Sequence, residues 1–159
     1  MREVPLTQGY MALVDDADYE NVVAHSWHAT QVRIHGRSYG VYADGRINGK
    51  RTNLHRWLLG ATKGQIVDHI DGNPLNNQRS NLRLVTHAQN MRNRHRFASK
   101  TGFKGVRFRP AGTFQADIRV DNKTVHLGTF KTAELAARAY DDAARRLHGE
   151  FARTNAEST

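Results

Sequence analysis

IVDHIDGNPLNNQRSNLRLVTHAQN, residues 66–90, gathers an acid, a histidine and several asparagines at spacings that packing alone does not require. Val67 leads into Asp68-His69, a loop rich in Gly, Asn, Pro and Ser runs from 71 to 80, Leu82–Val85 alternates as a short strand does, and Thr86 opens a helix. The order is strand, loop, strand, helix. Thr86 with Gln89 three residues on fits a capping box, which sets Asn90 in the helix's first turns. Phosphodiester hydrolysis needs a cation on the phosphate, a base for water and a group that holds the base. Asp68 and Asn90 offer hard oxygen ligands of the kind that suit Mg²⁺, which usually takes one or two from the protein. His69, next to Asp68 but on the other side of the strand, can accept a proton near neutrality and is the candidate general base.

Asp68-His69, Asn81-Leu82 and Asn90 together resemble the HNH nuclease motif, in the variant whose last position is Asn. The resemblance implies a ββα-metal finger in which His69 is the base, Asn81 braces the loop behind it, and Asn90 binds metal with Asp68. Upstream, Leu54-His55-Arg56-Trp57-Leu58 resembles the His-Arg segment that precedes this motif in phage and intron-associated homing endonucleases. The likeness covers roughly residues 3–96. His55 and Arg56 are both candidates for the active site, but residues 51–59 read as a strand, on which only one of two neighbours faces it. The sequence leaves that choice open. Asp71, Asn76 and Asn77 read more simply as loop formers, and His87 as a surface residue of the helix.

The chain has 159 residues, enough for one or two small domains, and a formal net charge of +9. That charge favours a polyanionic partner, nucleic acid first, and it is concentrated: residues 91–131 hold ten Lys/Arg against two Asp/Glu. The absence of cysteine excludes disulfides and thiolate zinc sites, so no structural zinc is expected, and it suits a reducing compartment. No apolar run approaches the roughly 20 residues that span a bilayer, and residues 1–19 lack a signal-peptide core. The expected location is the cytoplasm of a bacterium or phage-infected host, at the nucleoid.

Before the central stretch, residues 10–14 read as a strand and Asp16 as an acidic helix start. Residues 38–43 and 51–59 read as strands of a hairpin, with turn pairs at Asp44-Gly45 and Asn48-Gly49. Trp27, Tyr39, Val41, Leu54, Trp57 and Leu58 read as core or sheet packing. After it, MRNRHRFASKTG (91–102) makes a basic arm whose Arg92, Arg94, Arg96 and Lys100 suit phosphate neutralisation.

A second unit follows, with strands at 103–109, 113–120 and 124–129 and a helix at 133–148, capped by Thr132 and stopped near Gly149. Alternation assigns Val106, Phe108, Phe114, Ala116, Ile118, Val120, Val125 and Leu127 to a core shared with Leu135, Ala136, Ala139, Tyr140, Ala143 and Leu147 of the helix. The opposite face collects Arg107, Arg109, Gln115, Asp117, Arg119, Thr124 and His126, a polar face suited to a DNA groove. Residues 102–155 strongly resemble the ethylene-response-factor (APETALA-type) DNA-binding domain. By that resemblance the sheet enters the major groove, and the DNA-contacting positions fall on Lys104, Arg107, Arg109, Thr113, Asp117, Arg119, Thr124, His126 and Thr129. Ala111 and His126 stand where the plant domains commonly carry Trp, and Thr124 where they carry Arg, so the plant target sequence does not transfer.

The expected fold class is α+β: a ββα-metal unit with a preceding hairpin scaffold, then a small three-stranded antiparallel sheet on one helix. The expected division is 1–90 for the nuclease unit, 91–101 for the arm, 102–155 for the DNA-binding domain and 156–159 for a tail. The expected activity is site-specific, homing-type nicking of double-stranded DNA with Mg²⁺ or Mn²⁺, by a monomer or weak dimer, with no membrane or protein partner implied. A non-catalytic DNA-binding regulator is the alternative. An RNA-binding accessory protein ranks third, because no array of exposed aromatics suggests base stacking on a sheet.

Overall fold

The structure, a computed structural model, describes residues 1–34, 37–93, 100–121 and 123–156. The chain divides into two compact units, Met1–His87 and Ala88–Thr159, both built from small antiparallel sheets and few helices. The architecture is α+β.

In the first unit β1 (Arg2–Pro5) pairs with β2 (Met11–Val14), and α1 (Asp16–Val23) follows. A three-stranded meander comes next: β3 (Trp27–Ile34), β4 (Arg37–Ile47) and β5 (Lys50–Asn53), with β4 in the middle. Asn48 and Gly49, both at positive φ, make the tight turn between β4 and β5. Asp44-Gly45, expected as a second turn, lies inside β4 instead. A side chain at Gly45 would meet Ser26 O at 2.7 Å and the Trp27 ring at 2.9 Å, so this glycine serves close approach within the sheet.

Residues 54–58, expected to continue a strand, form a short helix, α2 (Leu54–Leu58). Leu54, His55 and Leu58 are all buried while Arg56 turns away to the loop that follows, the i, i+1, i+4 pattern of a helix. A strand would put Arg56 on the face of Leu54 and Leu58, and five residues are too few to separate the two periods by sequence pattern. Around them pack Val4, Ala12, Val14, Val22, Trp27 and Leu82, and the Trp27 indole donates to Val22 O at 2.9 Å.

The strands β6 (Ile66–His69) and β7 (Leu82–Val85) pair in register Asp68↔Arg83 and His69↔Leu82, and α3 (His87–Asn93) follows. The loop between them is stitched to the body. Leu13 N donates to Leu75 O and Asn77 N to Leu13 O, both at 2.8 Å. Arg79 makes two 2.8 Å bonds to the buried carboxylate of Asp18 on α1, while its backbone N–H donates to Asp15. The acidic start of α1 therefore grips the loop that carries Asn81.

In the second unit β8 (Val106–Arg109), β9 (Thr113–Val120) and β10 (Lys123–Phe130) form an antiparallel sheet with β9 central, and α4 (Ala133–His148) packs on it. Thr132 caps α4 by accepting from Leu135 N at 3.3 Å, and Gly149 follows its last residue. The core is narrower than alternation suggested. Phe108, Val125, Leu135 and Leu147 are exposed, whereas Ala136, Ala137, Tyr140, Ala143 and Ala144 are buried against Val106, Ala116 and Ile118. The alanines bring the helix close to the sheet, and the larger side chains are left at its flanks.

Arg79→Ala strips the buried Asp18 carboxylate of its partner and should cost the first unit about 1–3 kcal/mol, the range for an orphaned buried acceptor. Glu20→Ala removes only an exposed pair with Arg2, whose guanidinium keeps its place over the Tyr19 ring, and should cost under about 1 kcal/mol. Urea denaturation of the two variants checks the contrast, and equal losses would contradict it.

Candidate active site and nucleic-acid interface

The pairing of β6 with β7 sets Asp68 directly across from Arg83, whose Nε and Nη2 both donate to Asp68 Oδ2, at 3.1 and 3.0 Å. Both side chains are largely buried, so the arginine fixes the carboxylate's orientation. Arg83 is a site residue that sequence reasoning missed; its signal was the polar position in the alternation of Leu82–Val85.

His69 is also buried, and its ring meets that of His55 edge-on with centroids 4.9 Å apart. Tyr42 stands beside both, at 5.7 Å from His55 and 6.1 Å from His69. The helical turn of α2 thus resolves the open choice between the neighbours. His55 faces His69, while Arg56 turns away to donate to the backbone oxygens of Gln65 and Thr62 at 2.6 and 2.8 Å, closing the loop after α2.

Burial pushes His55 down to a pKa of about 3, helped by the neighbouring His69 and Arg56. Burial also lowers His69, against the opposing pull of the Asn77 amide and of the Asp71 and Asp68 carboxylates. Both rings are therefore neutral at pH 7. His55 Nδ1 is buried with no hydrogen-bond partner among the described residues.

Asn81 is buried behind this pair. Its side chain accepts from Asp71 N at 3.0 Å and donates to Asp71 Oδ1 and Asn76 O, while its carbonyl accepts from Ile70 N. Asp71 and Asn76 close the same loop through a 2.8 Å bond. Asn77, expected only to shape the loop, is fully buried as well as bonded within it.

Asn90 lies half-buried on α3, within the stretch grouped with the second unit. Among the described residues no group of three or more His, Asp or Glu is arranged to hold a metal ion. Asp68, its carboxylate already oriented by Arg83, is an oxygen donor of the kind that suits Mg²⁺.

On the second unit's sheet, Asp117 sits buried at the centre of the polar face. It receives Arg107 from β8 at 2.9 Å, His126 from β10 at 3.1 Å and Gln115 at 2.8 Å. Burial pushes its carboxyl up, but the bonds from Gln115 and His126 and the Arg107 charge together carry it below the ordinary value. Arg109, Arg119 and Thr124 are exposed, and Thr113 is half-buried. Lys104 is engaged elsewhere: its ammonium donates to Arg92 O at 2.6 Å, and its backbone N–H to the buried Asn155. Arg92 approaches Asp121 at 3.4 Å, and Lys100 is exposed. Arg94 and Arg96 lie outside the described residues.

Fold and site define a two-unit chain: a strand–loop–strand–helix stretch with an oriented Asp-His pair, and a three-stranded sheet on one helix with an arginine-bearing outer face. The family described as HNH endonuclease matches residues 60–92, and the AP2 domain matches residues 101–150. The chain carries an HNH endonuclease domain followed by an AP2 domain.

It is 42% identical over 111 residues to a protein of Acanthamoeba polyphaga mimivirus named as an uncharacterized HNH endonuclease, covering 66% of this chain and 58% of that one. It is 60% identical over 55 residues to ethylene-responsive transcription factor 3 of Nicotiana tabacum, covering 33% of this chain and 24% of the plant protein. It is 52% identical over 59 residues to ethylene-responsive transcription factor RAP2-11 of Arabidopsis thaliana, covering 36% and 23%. The chain thus spans less than two thirds of the length of these relatives. No helix among the described residues is long and apolar enough to cross a membrane.

The lowered histidine pKa fixes how the first unit's stability depends on pH. A ring whose folded value lies below the unfolded one binds more protons when unfolded, so its contribution is complete above about 6.5 and is lost as pH falls from there towards 3. For His55 the expected loss is about 1.4 kcal/mol per pH unit across that window, with His69 adding in the same direction. Denaturation between pH 4 and 7 should show this slope in the wild type and a shallower one in His55→Gln. A wild type equally stable at pH 5 and 6.5 contradicts the assignment.

Proposed function

We propose that this protein is a metal-dependent DNA endonuclease whose HNH domain hydrolyses a phosphodiester bond while its AP2 domain binds the duplex. The observation that carries the reading is the buried Asp68-His69 pair, with Asp68 oriented by Arg83 and His69 kept neutral beside His55. It lies inside the segment matched as HNH endonuclease.

His69 takes a proton from the attacking water, a step that needs an uncharged ring, and its lowered pKa keeps the ring uncharged below pH 6.5. Asn81, through its bonds to Asp71 and Asn76, fixes the loop behind that ring. His55 is neutral, so it acts on a phosphate oxygen or a water as a hydrogen-bond donor, not as a cation. Asp68 and Asn90 would hold Mg²⁺ or Mn²⁺, which when bound stabilises charge on the phosphate and on the leaving 3′ oxygen. The products are a 5′-phosphate and a 3′-hydroxyl. One such site cuts one strand, so the expected product of a monomer is a nick.

The functional division we infer is a nuclease unit at 1–90, a basic arm at 91–101 and a DNA-binding domain at 102–155. Arg109 and Arg119 are exposed cations of the sheet with no carboxylate partner among the described residues, suited to guanine edges or phosphates. The identity to plant transcription factors supports a second reading, a DNA-binding regulator with a purely structural first unit.

Supercoiled plasmid carrying the DNA that flanks this protein's own gene distinguishes them. With Mg²⁺ the wild type should convert it to the nicked form, EDTA should abolish this, and His69→Ala should slow it by about 10²–10⁴-fold, the range for a lost general base. The acidic limb of the wild-type rate profile should fall below pH 6.5. If the wild type binds this DNA without cutting it, or His69→Ala cuts as fast, the regulator reading replaces this one.

A further inference from the structure

The outer face of the β3–β4–β5 sheet is absorbed by neither domain match, since both lie beyond residue 59. Side chains at alternate positions share a face, so Tyr42, Asp44 and Arg46 of β4 stand together, and the register adds Thr30 and His28 from β3 and Asn53 and Arg51 from β5. One end of this row is the candidate active site, because Tyr42 touches both His55 and His69.

At the other end Arg46 and Arg51 are directly opposite one another, and a like-charged cross-strand pair is destabilising. Asp44, buried beneath, accepts from Arg51 Nε and from Thr30. Among the described residues nothing accepts from or pairs with Arg46. A concavity of about 460 Å³ opens here, lined by His25, Ser26, His28, Asp44, Arg46 and Arg51. The fold thus holds two guanidinium groups at the rim of a polar hollow, one of them tethered and the other unmet.

We propose that this hollow binds a phosphate of the DNA strand being cut, with Arg46 as the principal contact and Arg51, held by Asp44, as the second. The proposal rests on the nuclease reading for its geometry. Four residues of strand separate Tyr42 from Arg46, about 13–14 Å. That distance spans at most about four nucleotides of one strand, because the roughly 3.4 Å per nucleotide is rise along the duplex axis and the strand itself winds around it. The sheet is thus a track that fixes the backbone within about four nucleotides of the scissile phosphate. An anion in the hollow also removes the repulsion between the two arginines, which gives it a binding preference for phosphate over neutral ligands.

The test is DNA binding by the full chain in EDTA, so that no cutting intervenes, measured against salt on the flanking-DNA duplex. Each phosphate contact contributes about 0.9 to the slope of log affinity against log salt concentration. Arg46→Gln should lower the slope by about that amount, and Arg46→Lys should restore it. Because Arg46→Gln also removes a like-charged pair, its melting temperature should equal or exceed that of the wild type, which separates a lost contact from a damaged fold. An unchanged slope in Arg46→Gln, or a slope that Arg46→Lys fails to restore, overturns the proposal. Plasmid nicking is scored separately: a wild type that never cuts removes the nuclease reading, whereas the slope reports on the phosphate contact in either case.

Discussion

The buried ion pair between Asp68 and Arg83 is the constraint on which the first unit's site depends. It lies across β6 and β7, where a one-residue slip would move Asp68 to the other face and put His69 in its place. Breaking a buried pair leaves one charge uncompensated, at a cost of about 3–5 kcal/mol, so the pair excludes the slipped register more strongly than the few backbone bonds of two four-residue strands do. With the register set, Leu82 is buried opposite His69, and Asn81, one residue earlier, closes the loop onto Asp71. The carboxylate and the histidine then occupy opposite sides of one short strand, each fixed by a different neighbour.

The same burial that orients these groups sets their chemistry. Two imidazoles packed edge-on away from water cannot both carry charge, and desolvation disfavours even the first proton. The pair is therefore held in its base form, which is the state a proton acceptor needs. The cost falls on acid stability. A buried histidine trades tolerance of low pH for readiness at neutral pH.

Much of this was legible in the sequence because it is local. Asp68 and His69 are adjacent, Asn81 and the polar loop lie within a dozen residues, and the cap Thr132 and the stop at Gly149 follow from positions next to the helix they bound. What escaped depends on contacts between distant positions or on lengths too short to show a period. The five residues of α2 read equally as strand or helix, and only the burial of His55 beside Leu54 and Leu58, with Arg56 turned away, decides it. The partnership of His55 with His69 follows from that turn, and the clamp of Asp18 on Arg79 spans 61 residues. Alternation named Phe108 and Val125 as core, but it reports only which face a residue is on. It does not say whether the single helix reaches that far.

The two three-stranded sheets solve one electrostatic problem in the same way. In each, an aspartate on the central strand is buried under the polar face: Asp44 on β4, Asp117 on β9. Each draws an arginine from one flanking strand and a smaller partner from the other, Arg51 and Thr30 for Asp44, Arg107 and His126 for Asp117. A buried carboxylate without those partners would be costly, and an arginine without the carboxylate would sample many rotamers. The pairing orders the guanidinium groups in advance, which lowers the entropy cost when they meet a phosphate, yet it also cancels part of their charge. On the proposed DNA-binding reading, the cations left unmatched among the described residues, Arg46 on one face and Arg109 and Arg119 on the other, would supply the net attraction. On this division of labour the paired arginines set geometry and the unpaired ones set the salt dependence of binding, so the chain's surplus of positive charge overstates the number of phosphates it can hold.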